Sequence, residues 1–98
     1  MREHVGDLLI YAGNWERMSA GENRRHAEIG ESLRRQAALI VAGDYAGAEA
    51  ENFENRAADW DVYAKAERGK RARAGYEEIA AGLRAKAAHL RSEDSQHD

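Results

Sequence analysis

Ninety-eight residues with 43% apolar side chains and a formal net charge of −3 make one domain, large enough for a core without a metal or disulfide but too small to bury a large share of its surface. Cysteine is absent, which excludes a disulfide framework, thiolate chemistry and zinc-cysteine sites, and the absence of proline leaves glycine to mark helix boundaries. The negative balance argues against bulk attraction to nucleic acid, and the longest uninterrupted apolar run, 37–42, is far too short to cross a membrane.

Twenty of the residues are alanine, which favours helix but buries little area. The composition therefore predicts helices that approach closely around a thin core, with a partner or a second copy as a natural way to bury more. The N-terminus has one Arg, then Glu3, His4 and Asp7 around a brief apolar patch, unlike a secretion signal, and the expected location is cytoplasmic.

Val5, Leu8, Leu9 and Ala12 share a face at helical spacing, which predicts a short first helix over about 3–12. Gly13-Asn14 offers a turn after it; Ser19 with Glu22 three places on forms a capping box that offers a second start for the next helix. From Trp15 the stripe continues through Met18, Glu22, His26, Ile29, Leu33, Ala37 and Ile40, an eleven-residue repeat close to an undistorted helix. Glu22 and His26 are its polar intruders. Their i,i+4 spacing suits a mutual hydrogen bond, but ferritin-like carboxylate sites use Glu-x-x-His, so the pair is read as an exposed stripe end rather than as metal ligands.

The clearest boundary is Ala42-Gly43-Asp44-Tyr45. Gly43 can take the left-handed conformation that ends a helix, and Asp44 can accept hydrogen bonds from the free N–H groups that open the next one. The Gly-Asp-Tyr turn followed by Ala48 is similar to the hairpin turn of tetratricopeptide repeats, although Asn52 and Asn55 stand where that family has a large apolar residue and an alanine. Trp15, Tyr45 and Tyr76 follow comparable turns at spacings of 30 and 31, but little else recurs at that period.

The third helix carries Ala46, Ala50, Phe53, Ala57, Trp60 and Ala64 on one face, large rings alternating with alanines as in a close-packed seam. Residues 44–61 are acidic and 65–73 are basic, which suits the helix dipole. With the i,i+4 pairs Asp61–Lys65 and Glu67–Arg71, this predicts one helix over 45–73 despite Gly69. Two such helices laid antiparallel would pair acidic halves with basic halves in a twofold dimer. The last helix, 76–91, has the cleanest stripe, through Tyr76, Ile79, Ala80, Leu83, Ala87 and Leu90; the segment 93–98 has nothing to bury and is expected to form a disordered tail.

The serines lie outside any nucleophile elbow, threonine is absent, no glycine loop would cradle phosphate, and His4, His89 and His97 are scattered. The sequence thus predicts a non-enzymatic chain with no catalytic residues, metal or cofactor. The expected architecture is an all-α, antiparallel helical bundle of three long helices plus a short N-terminal one, over 1–92. The expected role is an adaptor, assembly subunit or stoichiometric inhibitor that binds another protein or a second copy through an acidic-aromatic surface formed by Glu49, Phe53, Asp59, Trp60 and Tyr63. The alternative is nucleic-acid binding through Lys65, Arg68, Lys70, Arg71 and Arg73. Usage of Ala, Arg and Gly suggests a GC-rich bacterial or phage source.

Overall fold

The computed structural model describes residues 2–19 and 24–96, with side chains described for 4–18 and 24–92. It contains four helices, α1 (Arg2–Ser19), α2 (Arg24–Val41), α3 (Tyr45–Ala66) and α4 (Lys70–Gln96), and no strand among the described residues.

The α2–α3 turn follows from its sequence. Gly43 has φ +84°, and the N–H groups of Gly43 and Asp44 return to the carbonyls of Ile40 and Leu39 at 3.0 and 2.8 Å, satisfying the end of α2. The Asp44 carboxylate accepts the Gly47 N–H at 2.8 Å and opens α3.

Other boundaries depart from expectation. α1 runs through Gly13-Asn14 to Ser19, because the Asn14 carboxamide accepts from the Arg17 guanidinium one turn on instead of capping a new helix. The Ser19–Glu22 box and the Glu22–His26 pair involve Glu22, which lies outside the described residues. The single helix over 45–73 is replaced by two. Glu67 is extended (φ −80°, ψ 128°), its carboxylate accepts the Gly69 N–H at 3.0 Å, and its carbonyl accepts from the Arg73 guanidinium at 2.7 Å. These polar contacts stabilise a three-residue connection, and Gly75, the expected boundary, sits inside α4. α4 continues past the expected end at residue 91; side chains of 93–98 lie outside those described.

Among the described residues the helix backbones approach closely only between neighbours in the chain, so the four form an open row. Between α2 and α3 the contacts run in opposite order, since Arg25 meets Asp59 while Arg35 meets Glu51. The molecule is a slab of 42 × 37 × 17 Å, and its radius of gyration of 14.9 Å exceeds the roughly 13 Å of a compact chain this long.

Two apolar clusters hold the row. Leu8, Ala37, Ile40 and Ala48 join α1, α2 and α3, with Val5, Leu33 and Leu39 packed against them. Ala57, Ala80 and Leu83 join α3 to α4, flanked by Phe53 and Trp60. Alanine dominates the buried set, so the backbones lie close. At the α1–α2 crossing Gly30 is needed for that approach, since a Cβ there would stand 3.2 Å from the Ala12 carbonyl oxygen and 2.8 Å from Glu16 Cγ. Leu9, expected to be buried, faces solvent instead.

Arginine–carboxylate pairs reinforce every seam. Arg34 donates to Glu16 at 3.0 Å between α1 and α2, Arg25 to Asp59 at 2.7 Å and Arg35 to Glu51 at 2.9 Å between α2 and α3, and Arg84 to Asp61 at 3.2 Å between α3 and α4. Arg91 also pairs with Glu54.

Candidate functional site

Because the backbones of α1 and α3 flank α2 without closely approaching each other, α2 becomes the floor of a cleft between them. The cleft encloses about 540 Å³. His26, Ile29 and Leu33, consecutive members of the α2 stripe, line its base; Tyr11 and Trp15, one turn apart on α1, form one wall, and Asn55, Asp59, Val62 and Tyr63 of α3 form the other. Further along α2, Leu8 joins Ile40 and Ala48 in the core, and a second hollow of about 320 Å³ between the same helices is lined by His4, Gln36, Ile40, Tyr45 and Asn52.

The charged groups in this cleft are tied down. Arg25 is held by Asp59 at 2.7 Å and by the Asn55 carboxamide oxygen at 2.6 Å, so guanidinium and carboxylate neutralise each other within the α2–α3 seam. His26 stacks against Trp15 with ring centroids 5.0 Å apart. The rim is apolar and exposed: Tyr11 retains 54% of its accessible surface, Val62 45% and Tyr63 54%. A volume of this size with apolar walls suits one or two bulky side chains of a partner.

The five α3 residues expected to form the binding surface separate into three environments. Asp59 and Tyr63 lie on the cleft. Glu49 and Phe53 border a shallower, largely apolar depression of about 380 Å³ against Ala85, Lys86, His89 and Leu90 of α4, where Lys86 Nζ and the Arg56 guanidinium each stand 5.8 Å from the Phe53 ring centre. Trp60 packs between them against the Ala57–Ala80–Leu83 cluster, 5.5 Å ring to ring from both Tyr63 and Tyr76. The acidic character of α3 is spent within the chain, on Arg25, Arg35, Arg84 and Arg91. Hydrogen bonding to Arg84 holds the Asp61 carboxyl below its usual range, outweighing desolvation, and the bond to Arg34 does the same for Glu16.

The basic segment is divided by the α3–α4 connection. Lys65 ends α3, Arg68 lies in the connection, and Lys70, Arg71 and Arg73 begin α4, all exposed. Among the described residues Arg68, Lys70 and Arg71 make no ion pair; Arg73 is held by the Glu67 carbonyl. No described helix is long and apolar enough to cross a membrane.

Tyr11, Ile29, Leu33 and Val62 escaped the sequence reading as site residues. Tyr11 carried a weak signal, since it stands one turn from both Leu8 and Trp15 at the edge of the α1 stripe and is half exposed there. Ile29 and Leu33 carried none, because the periodicity that predicts a core face cannot show that a neighbouring helix is absent above it. No family model, no curated protein and no solved structure matches this chain.

Proposed function

We propose that this chain acts without catalysis, as a protein-binding module of the cytoplasm: an adaptor, assembly subunit or stoichiometric inhibitor that engages its partner through the aromatic-rimmed cleft of α1, α2 and α3. The architecture behind this reading is an antiparallel up-and-down row in which three long helices are joined by an N-terminal helix at one edge. One observation carries the proposal: Tyr11, Val62 and Tyr63 converge, exposed, around a cleft whose charged residues are already paired. Contiguous exposed apolar surface rimmed by polar residues marks interaction sites on soluble domains.

Immobilised chain, challenged with extract of its source cells, tests the reading. A saturable partner retained by the wild type and by Val41→Glu, but lost with Tyr63→Glu, supports it; Val41 is 75% exposed on α2 and does not line the cleft. Retention indifferent to Tyr63 contradicts it. The unpaired cations Arg68, Lys70 and Arg71 favour nucleic-acid binding as the second reading. Retention of short duplex DNA at physiological salt that is abolished by Lys70→Glu, Arg71→Glu and Arg73→Glu together would transfer the function there.

A further inference from the structure

The geometry points to a second copy of this chain as the occupant of the cleft: we infer a twofold dimer in which the α1–α3 cleft faces of two molecules close on each other, each receiving a rim tyrosine of the other. The inference rests on the protein-binding reading above and names the partner.

Three observations support it. First, helical domains are stable when the apolar face of one layer is covered by another, and this chain supplies a single open row of helices with α1 and α4 at its edges. Second, the accessible surface is 6871 Å². A compact chain of this mass exposes about 5,600 Å², so roughly 1,300 Å² is in excess, more than the roughly 800 Å² per partner of a standard interface. Third, apposing two identical faces normally confronts like charges, but here the cleft's Arg25 and Asp59 are already bonded to each other, leaving a rim of Tyr11, Val62 and Tyr63 that is complementary to itself.

This dimer differs from one driven by the charge polarity of residues 44–73. The acidic half of that surface is paired largely with the chain's own arginines and the helix is broken at 67–69, whereas an apolar seam is insensitive to screening.

Sedimentation equilibrium of the full chain, at low salt and at about 0.5 M, where the screening length falls to a few ångströms, tests the inference. The expected result is a mass twice the chain's 10.9 kDa at both salts. Tyr63→Glu and Tyr11→Glu should each raise the dimer Kd at least about tenfold, as for interface anchors, while Val41→Glu leaves it unchanged. Helix content by circular dichroism accompanies each variant; where a glutamate variant loses helix, Tyr63→Ser or Tyr11→Ser takes its place. A dimer that loosens at high salt, or that survives both cleft variants, overturns the inference. A wild-type monomer also overturns it, and the capture experiment then separates the two claims: Tyr63-dependent retention of another protein preserves the binding role, and no such retention removes both.

Discussion

Arg35 of α2 and Arg91 of α4 reach the same carboxylate from opposite sides: Glu51 of α3 stands 2.8 Å from one guanidinium and 3.7 Å from the other. The Glu51 side chain is only 11% exposed, so three helices of an open row are tied through one nearly buried anion. Glu51→Gln keeps the shape and removes the charge. Because both arginines can turn toward water, the expected loss is about 1–2 kcal/mol rather than the full cost of stranding a buried charge. Urea unfolding measures it; Glu16→Gln, at a solvent-exposed pair, should lower the midpoint by less.

Gly30→Ala and Gly82→Ala should move stability in opposite directions. Both glycines are inside helices, where alanine is favoured by about 1 kcal/mol. Nothing lies within 4 Å of a Cβ at Gly82, so the gain is realised there; at Gly30 the new methyl meets the Ala12 carbonyl and the α1–α2 seam must open, for a net loss of about 1–2 kcal/mol. Thermal melts of the two variants check the signs.

Trp60 and Tyr63 separate core from surface. Trp60→Ala removes a ring packed on Ala57, Ala80 and Leu83 and should destabilise the fold by about 2–4 kcal/mol, whereas Tyr63→Ala, at the rim, should cost less than about 1 kcal/mol and act on partner binding. Chemical denaturation of both variants tests the assignment.

Acid should loosen the seams. Asp61 and Glu16 have folded-state pKa values lowered below 3.8 and 4.5 by hydrogen bonds to Arg84 and Arg34. A depressed carboxyl contributes stability that is present above its unfolded value and lost as pH falls through the folded one. Urea midpoints should therefore hold down to about pH 5 and fall below about pH 4, and Asp61→Asn should flatten part of that fall.

Some boundaries were legible because a side chain completed them. At Gly43 the left-handed residue is followed by Asp44, whose carboxylate caps α3, and both halves of the signal are local. Gly13 has no such partner, since Asn14 turns to Arg17, and Gly69 gained one that helix periodicity cannot display, the Glu67 carboxylate two residues back. Glycine alone is therefore ambiguous in an alanine-rich chain without proline. The charge pattern misled for a related reason. Asp61 was read with Lys65 one turn away, yet its hydrogen-bond partner is Arg84 on α4, and Glu51 is held by arginines from two other helices. Pairings across helices depend on register, which no single stripe encodes. Tyr63 and Asp59 are legible in the sequence as part of an aromatic-acidic face of α3, and both line the cleft, but the opposite wall, Tyr11 and Trp15, depends on how α1 packs.

The most direct test of the cleft as the recognition surface is photo-crosslinking in cells from a benzoylphenylalanine placed at Tyr63, with Val41 as the reference position. A discrete protein adduct from position 63 and none from position 41 is the expected result, whether the captured chain is a second copy or another protein. Adducts from 41 alone, equal yields from both positions, or silence at 63 would contradict the account.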